Sequence, residues 1–173
     1  LNPSSAASDV YKRQKYGLPV YLTHGTYKMC HKRNKASFNI DFKFITNEEK
    51  FNINNIIVTP ITVPHDAREP VQFKFETKES IFAIITDLGF GSEYLLKSIN
   101  DVNSIVVESN HESKRLEESD YPESLKQRIG GRYGHLDNQE AARILKSIKK
   151  KNLDFVGAAH LSDKNNNCLL YTS

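Results

Sequence analysis

Four apolar runs of the sequence each lead into side chains that can bind metal or transfer protons. They are "TVPH" at His65, "IITD" at Asp87, "VVESNH" at Glu108 and His111, and "VGAAH" at His160. A histidine or carboxylate in such a position serves as a metal ligand, as an acid or base, or as an ordinary polar loop residue. Because strand ends that gather at one edge of a sheet build the active sites of open α/β folds, the joint pattern favours a site over coincidence.

A metal site agrees better with these residues than a catalytic triad does. No serine stands in a G-x-S-x-G turn, and Cys30 lies on a predicted helix where it faces away from its neighbour His31. Histidine nitrogen and carboxylate oxygen suit zinc, manganese or iron, and an aspartate can bridge two ions. His135 in "GHLDNQ", two residues before a helix cap, is a fifth candidate.

Asp66, which follows His65, has two interpretations that both stay open. Its carboxylate can orient an imidazole that binds metal, or it can form the turn that the following "AREP" indicates.

Hydrophobic periodicity predicts the elements that must position these side chains. The strands are predicted at 18–23, 38–45, 55–63, 71–77, 80–86, 103–109 and 153–159, and the helices at 26–35, 92–99, 121–129 and 137–151. In the last helix Asp137 is the expected cap and Glu140 the third residue of a capping box, with Ile144, Leu145 and Ile148 on one face. This order of elements predicts an α/β fold.

Composition excludes several classes of protein. The chain has 173 residues, 38% hydrophobic and 26% charged, which is typical of one soluble globular domain. Its apolar runs are far shorter than the roughly 18 residues of a membrane-spanning helix, and it shows no leader peptide, so a cytoplasmic protein is expected. Cys30 and Cys168 form no disulfide framework, and a net charge of +3 does not by itself indicate nucleic-acid binding.

The two ends of the chain differ from the rest. Residues 1–14 and 168–173 have no periodicity and are similar to translated adapter sequence at the edge of a gene fragment, so both are expected to be artefacts. The domain is then residues 15–167.

Six segments in order carry a resemblance to a known family. "VTPITVPHDAREPVQFKF", "AIITDLG", "IVVESNHE", "YPESLKQRI", "GHLDNQEAA" and "AHLSDKNN" resemble the metallo-β-lactamase-fold hydrolases, and most of all the bacterial YycJ/WalJ subgroup, which is related to ribonuclease Z. The resemblance covers residues 16–167 and implies a four-layer αββα sandwich. The family's HxHxDH motif is absent, so the N-terminal strands and the extreme C-terminus of the sandwich are expected to be missing from this chain.

The resemblance also implies roles for individual residues. His65, Asp87 and His160 match metal ligands of the family, with Asp87 as the bridging aspartate. His135 is similar to the histidine that touches the scissile phosphate or donates a proton to the leaving group. His111, after the acidic strand end, is expected to have a supporting role, as is Asp66.

The implied activity is that of a phosphodiesterase, specifically a DNA exonuclease, that uses two divalent ions, zinc or manganese, to generate hydroxide. Arg128 and Arg132, just before "GHLDN", are the expected contacts to a nucleic-acid substrate. Two alternatives stay open. One is a hydrolase of a small ester or thioester on the same metal core. The other is that the chain as given is an inert fragment without activity.

Overall fold

The computed structural model describes residues 16–33, 41–149 and 153–166. The end segments 1–14 and 168–173, which are predicted to be artefacts, lie outside these ranges. So do the first residues of the strand predicted at 38–45 and the last residues of the helix predicted at 137–151.

The described residues form short strands and short helices. The strands are β1 (Val20–Leu22), β2 (Phe42–Phe44), β3 (Phe51–Ile53), β4 (Ile56–Thr62), β5 (Val71–Glu76), β6 (Ile81–Ile85), β7 (Ser104–Glu108) and β8 (Phe155–Ala159). The helices are α1 (His24–Arg33), α2 (Glu93–Ser98), α3 (Ser113–Glu118), α4 (Glu123–Ile129) and α5 (Asn138–Ser147). In the described ranges, no helix combines the length and apolarity needed to cross a membrane.

The main sheet contains six strands in the order β3-β4-β5-β6-β7-β8. Neighbours from β3 to β6 are antiparallel, whereas β6, β7 and β8 are parallel to one another. Two antiparallel pairings separate β4 from β6, so β4 runs in the same direction as β6, β7 and β8. The carboxyl ends of these four strands therefore meet the same edge of the sheet.

One face of the main sheet forms the hydrophobic core with α2 and α5. Alternate strand residues point into it, among them Ala83 and Ile85 of β6 and Ile105 and Val107 of β7, all essentially buried. The predicted apolar face of α5 is confirmed: Ile144 and Ile148 are buried in this core and Leu145 packs against it. Burying each such aliphatic side chain contributes about 1.5 to 3 kcal/mol.

The opposite face of the main sheet meets a second, smaller sheet. β1 and β2 pair in parallel, and Tyr21 of β1 stacks on Phe51 of β3 with ring centroids 5.0 Å apart. Tyr27 of α1 packs edge-on against Phe42 and Phe44 of β2. The layers follow the order helix, two-stranded sheet, six-stranded sheet, helices. This order is the predicted αββα sandwich, with a first sheet of two strands.

A polar clamp fixes α5 to the loop after β6. Asp137 caps the helix as predicted, since its Oδ1 accepts a hydrogen bond from Glu140 N at 2.7 Å. The carboxylate of Glu140 does not turn back to the cap as a capping box requires. It accepts hydrogen bonds from Gly91 N at 2.8 Å and from both Nε and Nη2 of Arg143, and Arg143 Nη2 also donates to Gly91 O.

We expect Glu140→Gln to lower the free energy of unfolding by about 1 kcal/mol at neutral pH, because a charged hydrogen bond becomes a neutral one at a partly exposed site. The hydrogen bond from Arg143 holds the pKa of Glu140 below its ordinary value of 4.5. A carboxyl group whose pKa is lower in the folded state stabilises the fold above its unfolded pKa, and the stabilisation is lost as the pH falls through the folded pKa. The difference between the two proteins should therefore shrink below about pH 4.5.

Urea denaturation at pH 7 and at pH 3 measures this effect. Glu93→Gln is the matched control, because Glu93 lies on α2 in a highly exposed pair with Lys97 at 3.7 Å and should contribute little. An equal effect of the two substitutions at pH 7, or a Glu140 effect that grows in acid, would contradict the assignment of the clamp.

Candidate metal centre

Three candidate residues stand at the carboxyl ends of the parallel strands. Asp87 follows β6 by two residues, Glu108 is the last residue of β7, and His160 follows β8 directly. Asp87 and His160 both adopt left-handed backbone conformations, with φ of 53° and 55°. Such conformations are uncommon for residues other than glycine and cluster at functional sites, where the chain turns sharply to aim a side chain.

These residues and His135 bring four potential ligand atoms together. One atom from each of Asp87, Glu108, His135 and His160 lies within 4.8 Å of all the others. Glu108 Oε1 is the centre of the group, 2.8 Å from Nδ1 of His135 and 2.7 Å from Nδ1 of His160. The Nδ1 atom of His160 is also 3.3 Å from Asp87 Oδ1.

Glu108 is the buried member of the group. Its side chain is 0% exposed, and its second oxygen, Oε2, accepts hydrogen bonds from the backbone N–H groups of Leu88 and Leu136. Burial alone would raise the pKa of this carboxyl, but hydrogen bonds from His135 and His160 outweigh burial and lower the pKa to about 2. Glu108 is therefore ionised, and its Oε1 atom orients the imidazoles of His135 and His160.

The outer members of the group have the chemistry of divalent metal ligands. Asp87 is 43% exposed and His160 is similarly accessible, so an ion from solvent can reach both side chains. Carboxylate oxygen and imidazole nitrogen are the ligands that zinc and manganese accept, and a carboxylate that hydrogen-bonds the ligating histidine is a common support of such sites. The chemistry of the donor set therefore fits a divalent ion.

A tightly packed loop carries His135 to this position. His135 N donates to Ile129 O at 2.8 Å, and Gly134 N donates to Gly131 O at 2.9 Å. A Cβ atom on Gly134 would overlap the carbonyl oxygens of Arg128 and Ile129, so only glycine permits this approach of the loop to α4. The loop and the end of α4 thereby fix where the imidazole stands.

His65, the fourth sequence-predicted residue at this edge, lies beside the group and is not one of its four members. Its Nδ1 is 3.2 Å from Gly134 O, and its ring centroid is 5.6 Å from that of His135. His65 and Asp87 both line a cleft of about 230 Å³ that is also lined by Tyr21 and Leu22 of β1. The assignment of His65 as a metal ligand stays a prediction.

Asp66 pairs with Arg128, a contact that was not predicted from the sequence. Its Oδ2 accepts a hydrogen bond from Arg128 Nε at 2.7 Å, and this bond is the main cause of the lowered pKa of Asp66. Its Oδ1 is 3.5 Å from His65 Nε2, a longer contact, and the role of Asp66 in orienting this imidazole stays a prediction.

Arg132 and His111 lie apart from the four-atom group. The guanidinium of Arg132 is 4.7 Å from the ring centroid of Phe90, which leaves it at the surface beside the loop. His111 is buried, pairs with Asp137 in an isolated bridge, and has a pKa lowered by burial. Its position indicates a support for the start of α5.

Comparison with known proteins shows which sequences this chain resembles. No family model matches the sequence. The chain is 34% identical over 154 residues to the exodeoxyribonuclease YycJ of Bacillus anthracis, which covers 88% of this chain. The chain spans about 58% of the length of that relative.

Solved structures show the same fold. Zinc-bound PqqB from Methylobacterium extorquens superposes with a TM-score of 0.66 at 18% identity, over 96% of this chain and 58% of that one. The metallo-β-lactamase fold protein YhfI from Bacillus subtilis also gives 0.66, at 12% identity, over 94% of this chain and 62% of that one. The chain therefore has the metallo-β-lactamase fold. Its sequence is similar to the YycJ/WalJ subgroup, as predicted.

Proposed function

We propose that the complete protein, meaning this chain together with the parts its relatives carry beyond it, is a metal-dependent phosphodiesterase that acts on DNA as an exonuclease. The observation that carries this proposal is the arrangement of Asp87, His135 and His160 around the buried carboxylate of Glu108. The similarity to an exodeoxyribonuclease supports the choice of substrate.

Asp87 and His160 are the residues of this group that would hold metal, with His65 beside them. Two divalent ions, zinc or manganese, would supply a hydroxide nucleophile at neutral pH and positive charge for the phosphoryl oxygens. The remaining ligands of a two-metal site would be those of the HxHxDH motif that the resemblance implies. Glu108 fixes the ring plane of His160 through the 2.7 Å contact to its Nδ1, which leaves Nε2 free to bind.

His135 is assigned to proton transfer. Its Nδ1 lies 2.8 Å from Oε1 of Glu108, which holds the ring. The assigned role requires a proton on each ring nitrogen. The Nε2–H of that ring can then donate its proton to the departing oxygen of the phosphodiester. The hydrogen bonds of Glu108 to Leu88 N and Leu136 N keep the carboxylate in place while the charge of the histidine changes.

Hydrolysis assays separate this function from that of an ester hydrolase. The complete protein with manganese or zinc should hydrolyse bis-p-nitrophenyl phosphate and release nucleotides from single-stranded DNA, and a chelator should stop both reactions. Hydrolysis of p-nitrophenyl acetate without cleavage of either phosphodiester would instead support the ester or thioester alternative.

The 173-residue chain by itself should give little metal-stimulated hydrolysis. Only part of the ligand set is present in its sequence, and Phe73, Phe75 and Phe82 of the main sheet remain partly exposed. The measurement compares bis-p-nitrophenyl phosphate turnover by this chain and by the complete protein at equal concentration in manganese. Robust turnover by the short chain would show that the residues of this sequence suffice for the site.

A further inference from the structure

We propose that the cleft between α4 and the His65–Asp66 loop binds the phosphodiester next to the scissile one, on the leaving-group side of His135, with Arg128 as the phosphate contact and Asp66 as the residue that positions Arg128. This inference rests on the proposed nuclease function and deepens it. The ligand class is a single-stranded DNA segment with at least one phosphate beyond the cleaved bond.

The cleft is a small depression of about 180 Å³ that shares a wall with the candidate metal centre. It is lined by Asp66, Leu125, Arg128, Ile129, Gly134 and His135. His135 belongs both to this lining and to the group around Glu108. A leaving strand that takes a proton from His135 would therefore extend from the metal centre toward this cleft.

The guanidinium of Arg128 is held in an orientation that suits phosphate binding. Its side chain is 70% exposed, and Nε is held by Asp66 Oδ2 at 2.7 Å. Within the described ranges its two terminal nitrogens donate no hydrogen bond to the protein. A guanidinium fixed through Nε presents these donors in one plane, which is the geometry that phosphate oxygens accept in pairs.

The anchor of Arg128 is itself rigid. Asp66 N donates to Tyr133 O at 2.9 Å, so the backbone of Asp66 is joined to the loop that carries His135. The hydrogen bonds of Asp66 to Arg128 and to Tyr133 therefore fix the distance between the Arg128 guanidinium and the His135 imidazole. Leu125 and Ile129 supply apolar contact for a sugar or base next to the bound phosphate.

The direction in which DNA affinity changes when Asp66 is removed distinguishes positioning of Arg128 from a simple charge effect. Removing a carboxylate from a surface that binds a polyanion should strengthen binding if only charge matters. If Asp66 positions Arg128, its removal should weaken binding. Asp66→Ala and Asp66→Asn remove the same charge, but only asparagine keeps an oxygen that can accept the hydrogen bond from Arg128 Nε.

The test measures binding of a fluorescein-labelled single-stranded DNA to the complete protein by fluorescence anisotropy, with chelator present so that no turnover occurs. We expect Arg128→Ala to raise Kd about tenfold and to lower the slope of log Kd against log salt by about 0.7, as expected for one lost phosphate contact on a single strand. Asp66→Ala should raise Kd by a similar factor, and Asp66→Asn by no more than about twofold. The double substitution Arg128→Ala with Asp66→Ala should be no weaker than Arg128→Ala alone.

Arg115→Ala is the matched control, because Arg115 on α3 also pairs through Nε with a carboxylate, Glu112, at 3.2 Å, but lines a different cleft. The proposal is overturned if Arg128→Ala behaves like Arg115→Ala, or if Asp66→Ala binds DNA more tightly than the unsubstituted protein. Failure of the nuclease function appears separately, as absence of turnover with metal in the unsubstituted protein.

Discussion

Asp87→Ala should remove metal binding and metal-dependent hydrolysis together. Asp87 stands at the carboxyl end of β6 and is the most accessible carboxylate of the four-atom group, 3.3 Å from His160 Nδ1. Because the carboxylate of Asp87 would supply an oxygen ligand and negative charge to bound metal, its loss should release metal and reduce kcat/KM for bis-p-nitrophenyl phosphate by about 10³-fold or more. Metal content by mass spectrometry and the hydrolysis rate are measured on the same complete protein.

Asp101→Ala is a suitable control for this experiment. Asp101 has a similar exposure, 46%, and pairs with Lys74 at 3.4 Å, but it precedes β7 and so lies at the opposite edge of the sheet. It should retain metal and activity. An Asp87→Ala protein with its full metal content and rate would remove Asp87 from the site.

His135→Ala should reduce catalysis while metal remains bound. A positioned general acid contributes about 10²- to 10⁴-fold, so kcat on single-stranded DNA should fall by that factor. The loss should be smaller with bis-p-nitrophenyl phosphate, because nitrophenolate leaves as a stable anion and needs the proton less. This difference between the two substrates is the signature of proton donation to the leaving group.

His24→Ala provides the comparison for His135→Ala. His24 is an exposed histidine of α1 that stacks on Phe44 with ring centroids 4.2 Å apart, and its removal should leave both rates unchanged. If His135→Ala releases metal, His135 is a ligand and not the acid. If it slows both substrates equally with metal bound, proton donation to the leaving oxygen is the wrong assignment.

Most of the sheet could be predicted from the sequence because its strands are long or rich in β-branched residues. The runs at β4 to β8 were all located, and the switch from antiparallel to parallel pairing follows the point where helices begin to separate them. β3 was not predicted, because a strand of three residues flanked by asparagines is too short to show the alternation of apolar and polar residues. α3 was also missed, since Leu116 is its one buried side chain among the described residues and gives no periodicity.

The candidate site could be predicted in part. Sequence reasoning placed Asp87, His135 and His160 at loops that the structure brings together, because parallel strands deliver their ends to one edge. The role of Glu108 could not be derived, since its burial depends on imidazoles that are 27 and 52 residues away in the chain. A glutamate at the end of the apolar run "SIVVE" was the available signal, because glutamate is rarely buried without a partner.

The pairing of Asp66 with Arg128 was likewise hidden from the sequence. The two residues are separated by 62 positions, and their contact exists because the loop around Gly134 packs against the His65–Asp66 turn. The left-handed backbone of Asp87 and His160 is a tertiary effect that residue type alone does not specify.

The convergence of His65, Asp87 and His160 on one metal centre is tested most directly by anomalous diffraction from crystals of the complete protein grown with zinc. We expect peaks at the carboxyl edge of the main sheet, with an Asp87 oxygen and a His160 nitrogen at about 2.0 to 2.2 Å from an ion and a His65 nitrogen as a third ligand. Glu108 should remain hydrogen-bonded to His135. Zinc bound elsewhere, or at this edge without Asp87 and His160 as ligands, would contradict the assignment of the site.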